Sequence, residues 1–279
     1  MAFGPLVSPE ALRSLAAPVR LLDARPGDGP YAAGHLAGAL HADLDLELSG
    51  AGSPGFDPAR GGRHPLPALR EWAAQLGAWG IGPDTLVVAY DEAGGGIAAA
   101  RLWWMLRAVG HEHVAVLDGG LPAARVAGLA VTTELPPPVT ARPPYPVAGW
   151  RRPLVDLEAV ARLVRDPSWK VLDARSRERW RGEVETLDPV PGRIPGTVNV
   201  PYTENLGPDG RFKPPAALRS MYLEVLGGTP PERVAVHCGS GVTACHALLA
   251  LELAGLPGAS LYVGSYSEWC RSGRPLGRG

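Results

Sequence analysis

The stretch VHCGSGVTACH, Val236 to His246, puts a cysteine between an apolar run and two glycines, with an apolar helical pattern beyond. That order suits a strand, a tight loop and a helix, with Cys238 at the carboxyl end of the strand. A helix from Val242 or Thr243 to Leu253 would open with amides that lack internal partners. Gly239 and Gly241 allow the loop to curl so that several N–H groups point inward. A cysteine at that focus meets the helix dipole and the donors together, and both favour the nucleophilic thiolate over the thiol. The same cradle suits a persulfide anion or an anionic group in transfer. Packing is the bland role for a cysteine; we assign it to Cys245, and packing or a surface place to Cys270. Cys245 lies two helical turns past Cys238, about 10 Å of rise, whereas a disulfide needs Cα atoms within roughly 7 Å.

Three rival chemistries fail on spacing. A cysteine phosphatase needs an arginine six residues after the nucleophile to clamp a phosphoryl group, and that residue is Ala244. A phosphate-binding P-loop needs a lysine, absent both here and in DEAGGGIAAA. Neither Cys-x2-Cys nor His-x3-His pairs occur, so no zinc site is expected. No cofactor or metal is expected.

The elements that would position Cys238 recur along the chain. LLDAR (Leu21 to Arg25) returns as VLDAR (Val171 to Arg175), LVVAYDEAGGG returns as VAVHCGSG, and VAVLDGG returns as ASLYVGS. Short apolar strands alternate with helical stretches, which argues for an α/β fold with two mainly parallel sheets, each flanked by helices. Ligands in such sheets sit beyond the carboxyl ends of the strands, where Cys238 stands. Six prolines between Pro136 and Pro146 predict an extended connector. The expected layout is a first domain over 1–135, a linker over 136–151 and a second domain over 152–279. In the first copy Asp91 replaces Cys238, so that half is expected to be structural or to lend residues across a cleft.

The 279 residues carry a net charge of -1 and are 46% hydrophobic, which excludes an electrostatic case for nucleic acid or membrane. No apolar run is long enough to span a bilayer. The opening MAFGPLVSPEALRSL has neither the basic nor the apolar region of a signal peptide. Three cysteines make no disulfide framework, and free thiols in a reducing cytoplasm are expected.

CGSGVTA, both LDAR segments, WWMLRAVGH, VAVLDGG, GRIPGTVNVPY and GSYSEW together resemble the tandem-domain rhodanese family, nearest the mercaptopyruvate sulfurtransferases. The resemblance covers nearly the whole chain. It implies a ping-pong sulfurtransferase. Cys238 would take the sulfane sulfur of 3-mercaptopyruvate or thiosulfate as a persulfide and pass it to cyanide or a thiol such as thioredoxin. Arg179 in DARSRERWRG matches the family's donor-binding arginine. GEVETLDPVPG lacks the second arginine of animal enzymes, which leaves a paired clamp unaccounted for. Arg193 stands where the family has histidine, and is read either as adding positive charge near the cleft, with the donor-binding residues, or as a structural surface arginine.

Thiosulfate enzymes carry basic residues just after the cysteine; here those positions are the neutral Gly239 and Ser240, which favours mercaptopyruvate. Ser240, with His64 in GGRHPLP and Asp45 in HADLDLEL, matches the family's Ser-His-Asp relay, which would protonate the departing enolate. Gly239, Gly241, Val242 and Thr243 would line the donor site, with Ser265 at its mouth. Asp23 and Asp173 would tie backbone and arginine groups at strand ends. The other reading of the same loop is a persulfide carrier or redox-regulatory protein with little small-donor turnover.

Overall fold

The computed structural model describes residues 4–279. The chain divides into two compact units. The first holds the residues up to Gly52, Pro67–Arg151 and Pro208–Phe212; the second holds Ser53–Leu66, Arg152–Gly207 and Lys213–Gly279.

The first unit is built on β1 (Leu6–Val7), β2 (Val19–Asp23), β4 (Leu40–His41), β5 (Leu86–Tyr90) and β6 (Val114–Leu117), with β3 (His35–Leu36) and β7 (Val131–Thr132) forming a small antiparallel pair. The second is built on β8 (Leu154–Val155), β9 (Lys170–Asp173), β10 (Val198–Asn199), β11 (Val234–His237) and β12 (Ser260–Tyr262). The sheet orders are β1-β6-β5-β2-β4 and β8-β12-β11-β9-β10, the same path traced twice, and all pairings in both are parallel. The expected α/β duplication is therefore the observed fold.

The central strands LVVAY and VAVH are buried apart from Leu86 at the start of the first, as strands covered on both faces must be. The helices that follow the central strands, Ala99–Ala108 and Thr243–Leu253, are also buried along most of their length. Each LDAR segment ends its strand with the same lock. Asp23 takes the Nε and Nη2 of Arg25, and Asp173 takes those of Arg175, while each arginine also donates to a glycine carbonyl, Gly34 or Gly192. All four side chains are buried, so the pairing is needed to offset their desolvation.

Two features depart from the expected layout. The proline-rich stretch is extended, but it belongs to the first unit. Arg142 N–H donates to Gly77 O at 2.8 Å, Tyr145 N–H to Ala73 O at 2.9 Å, and the buried Tyr145 hydroxyl meets His111 Nδ1 at 3.1 Å. Residues 53–66 come from the first half of the sequence yet cluster with the second unit. Nothing in their composition announces this, because what holds them is a set of contacts made more than a hundred residues away. Among the described residues no helix is long and apolar enough to cross a membrane.

Candidate active site

Cys238 follows β11 directly and is 2% exposed. Its backbone is gripped by the helix Ser265–Trp269, which follows β12. Cys238 N–H donates to Ser265 Oγ at 3.2 Å, Tyr266 N–H donates to Cys238 O at 3.0 Å, and Ser267 N–H donates to Gly239 O at 2.9 Å. Ser265 is fully buried, holds a positive φ of 55°, and donates its hydroxyl to Tyr262 O at 2.9 Å. Its role is to hold the cysteine loop rather than to line the mouth of the site. Gly241 has φ 78°, and a Cβ there would lie 2.6 Å from Val263 O, so only glycine closes this turn. Val242 takes the N-cap position and Thr243 is the first residue of the helix that ends at Leu253, as the sequence predicts. Cys245 is fully buried with Sγ on Gly241 O, a core residue as expected. Behind the loop, burial outweighs the charge of Asp173 and pushes His237 below the usual histidine range, so this imidazole is neutral at pH 7.

Guanidinium groups crowd the space beside Gly239. A Cβ on Gly239 would lie 3.3 Å from Arg179 Nη1 and 3.4 Å from Arg63 Nη2, so the missing side chain leaves room for both. Arg179, on the helix Arg177–Arg181, is held by Glu185 at 2.7 and 2.9 Å. Arg63 and Arg271 are both paired with Asp188, the second at 2.9 Å, and Arg179 lies 3.6 Å from the same carboxylate. Burial pushes the Asp188 carboxyl up, but Arg63 and Arg271 outweigh it and hold it below the ordinary range. Its stabilising contribution is thus complete at neutral pH and is lost only as acid takes the pH down through that lowered value. Arg175, paired with Asp173, also lies 3.5 Å from Glu185, so four arginines (63, 175, 179, 271) face three carboxylates (173, 185, 188), an excess of one positive charge.

The segment GEVETLDPVPG, which lacks an arginine, supplies those two carboxylates instead. Arg63 escaped the sequence reading, although it stands next to His64 in GGRHPLP. The clue was adjacency: a segment that delivers His64 to this loop must deliver its neighbour too.

His64 Nδ1 lies 2.7 Å from Ser240 Oγ, so two members of the expected relay meet within the second unit. Ser240 is 6% exposed. Asp45 belongs to the first unit, in the turn after β4, where its N–H donates to Asp43 Oδ1 at 2.8 Å. Arg193 does not join the donor side. Its guanidinium lies 4.2 Å over the Trp180 ring and donates to Gly279 O at 2.7 Å, while its backbone bridges to Gly277. Stacking and a terminal carbonyl satisfy this cation, the structural one of its two readings. Among the described residues no group of His, Cys, Asp or Glu is arranged to hold a metal ion.

The equivalent loop of the first unit, after β5, is filled by its own side chain. Asp91 is fully buried, with Oδ1 accepting from Ala93 and Gly95 and Oδ2 from Ile97, Ala98 and Ala99, at 2.8 to 3.1 Å. The five-donor nest shows what the duplicated turn is built to hold, an anion.

Comparison with known proteins gives the same two repeats. Residues 8–125 and 156–272 each match the Rhodanese-like domain. The chain is 43% identical over 254 residues to a Pseudomonas aeruginosa protein named "Probable 3-mercaptopyruvate sulfurtransferase", covering 89% of this chain and 86% of the other. It is 36% identical over 215 residues to thiosulfate sulfurtransferase of Rattus norvegicus, covering 75% and 71%. The solved structure of 3-mercaptopyruvate sulfurtransferase from Leishmania major superposes with a TM-score of 0.83 at 29% identity, covering 97% of this chain and 75% of that one.

Proposed function

The chain belongs to the rhodanese-like family and is a tandem-domain sulfurtransferase, and on that premise we propose that Cys238 carries the sulfur and 3-mercaptopyruvate is its preferred donor. The Cys238 thiolate attacks the donor's sulfur, the carbon–sulfur bond breaks, and pyruvate leaves as its enolate. That enolate needs a proton at carbon. The Ser240 hydroxyl, bonded to the His64 imidazole, is the group beside Cys238 that can deliver one. Asp45 enters this relay on the sequence resemblance alone. The loop retains the persulfide until an acceptor thiol or cyanide takes the outer sulfur; thioredoxin is a suitable thiol. All three cysteines are free, which suits a reducing compartment.

The observation that carries the donor preference is the pairing of Ser240 with His64 beside an arginine cluster with one surplus charge. One carboxylate balances one charge, whereas thiosulfate brings two negative charges and leaves as sulfite, with no carbon to protonate. Arg179 and Arg63, both about one-fifth exposed, are the groups we assign to the carboxylate.

Multiple-turnover assays with both donors at matched concentrations test the reading. We expect the higher kcat/KM for mercaptopyruvate; a higher value for thiosulfate overturns the preference. One persulfide per chain with no further turnover would establish a carrier instead. Ser240→Ala and His64→Asn should each slow mercaptopyruvate turnover by about 10²-fold, the usual scale for losing a proton donor, and should hardly affect persulfide formation from thiosulfate. Equal losses with both donors would remove the relay from the mechanism. Arg179→Ala and Arg63→Ala should raise KM for mercaptopyruvate by about tenfold each, as expected for a lost charge-assisted hydrogen bond. A fall in kcat at constant KM would contradict their assignment.

A further inference from the structure

We infer that Glu268 is the positioning residue that sets His64 and Arg63 in register with Cys238, an inference that rests on the donor chemistry proposed above. Glu268 lies on the helix Ser265–Trp269, and its two oxygens are divided between two neutral donors. Gly61 N–H donates to Oε1 at 2.8 Å and the Tyr262 hydroxyl donates to Oε2 at 2.8 Å. Tyr262 ends β12, so one oxygen ties the carboxylate into the sheet while the other holds the segment Ser53–Leu66. Burial, then the Glu268 charge, pushes the Tyr262 phenol far up, so it stays a donor at any working pH.

The next residue of the segment is fitted just as closely. Gly62 has φ 78°, and a side chain there would strike the Gly264 carbonyl at the start of the same helix. Then come the two residues with chemical work. Arg63 reaches Asp188 and the space beside Gly239, and His64 reaches Ser240 Oγ. Residues 61 to 64 thus make four consecutive contacts with the catalytic unit, and Glu268 makes the first.

The nucleophile loop is held from the same helix. Tyr266 and Ser267, immediately before Glu268, donate their N–H groups to Cys238 O and Gly239 O. A single five-residue helix therefore fixes the nucleophile loop through its backbone and the proton-donor segment through one carboxylate. Without Glu268 the cysteine loop keeps its own bonds, whereas the segment that carries His64 and Arg63 loses the bond at Gly61. The consequence is confined to the donor half of the reaction, where a displacement of about 1 Å is worth up to 10²-fold in rate.

Glu268→Ala and Glu268→Gln in the full chain test this. The glutamine keeps an acceptor oxygen for Gly61 N–H and can donate its NH₂ to the Tyr262 oxygen, so it loses the charge but not both bonds. We expect the single-turnover release of pyruvate from mercaptopyruvate to fall about tenfold to a hundredfold in the alanine variant and less in the glutamine variant. Alkylation of Cys238 by iodoacetamide should be nearly unchanged, and amide hydrogen exchange should rise in residues 53–66 but not in 234–245. Parallel losses of pyruvate release and alkylation would overturn the inference, because Glu268 would then support the cysteine loop itself. Unchanged exchange in 53–66 would also overturn it, whichever donor the enzyme uses. If the unsubstituted enzyme released no pyruvate, the donor reading would fail, and the exchange result alone would decide the role of Glu268.

Discussion

Cys238→Ser should abolish sulfur transfer, with turnover falling by about 10⁴-fold or more for both donors, while folding is nearly untouched. The scale is that of losing a nucleophile, for which no other group in the site substitutes. Cys245 and Cys270 cannot take over. The first is fully buried against Gly241 O, and in the second burial and the charge of Asp188 push the thiol up, away from the reactive thiolate. Serine fits the pinned loop because the contacts there are made by the backbone of Cys238 and Gly239. Mass spectrometry after exposure to donor should find one added sulfur on the unsubstituted protein and none on the variant. Retained transfer would refute the central assignment.

Asp91→Ala should be the most damaging single substitution in the first unit. Five N–H groups now bonded to that carboxylate would lose their acceptor, and those of Gly95, Ala98 and Ala99 belong to buried residues. Stranding buried donors costs about 1–3 kcal/mol each before relaxation. Allowing for water entry and loop adjustment, we expect a loss of about 3 kcal/mol or more, near the top of the range for point substitutions. The unit contains Trp72, Trp79, Trp103, Trp104 and Trp150, so urea titration followed by tryptophan fluorescence reports on it. A shift worth less than about 1 kcal/mol would mean that water or a neighbour replaces the carboxylate. Asn should be only a partial remedy, because its NH₂ would face amides that need an acceptor.

Both effects follow from a turn that was legible in the sequence. The apolar run into Cys238, the glycine at 241 and the helix from Thr243 each carry a local signal, and each is observed. The duplication was legible for the same reason, since LDAR and the two glycine-rich loops repeat as strings. Cys245 was separable from Cys238 by helical rise alone. Arg63 was not legible as a site, and Glu268 only as part of a family segment near the pocket mouth with Ser265 and Trp269, because their importance lies in which segment docks where. Local propensity is silent on a loop whose partners lie 176 and 207 positions away. Arg193 follows the structural one of its two readings. A matching position in a family motif says where the backbone goes, but a long flexible side chain settles on the nearest acceptor and aromatic face, here Gly279 and Trp180. Ser265 was sensed as important, yet its buried hydroxyl serves the backbone of Cys238 rather than a ligand.

The placement of residues 53–66 has a consequence for how this gene can be inherited or rearranged. A duplicated domain is ordinarily a spare part, free to be trimmed or exchanged once its own nucleophile is gone. Here the unit that holds Cys238 is not a continuous length of chain, since it borrows a stretch encoded within the other copy. A fragment cut cleanly at Arg152 would keep its nucleophile and Arg179 but leave behind Arg63 and His64. A chimera joining the halves of two relatives would mismatch Gly61 with Glu268 and His64 with Ser240. Selection on the cysteine loop therefore reaches back into the first half of the chain, and the two copies must be kept, moved or redesigned as one piece.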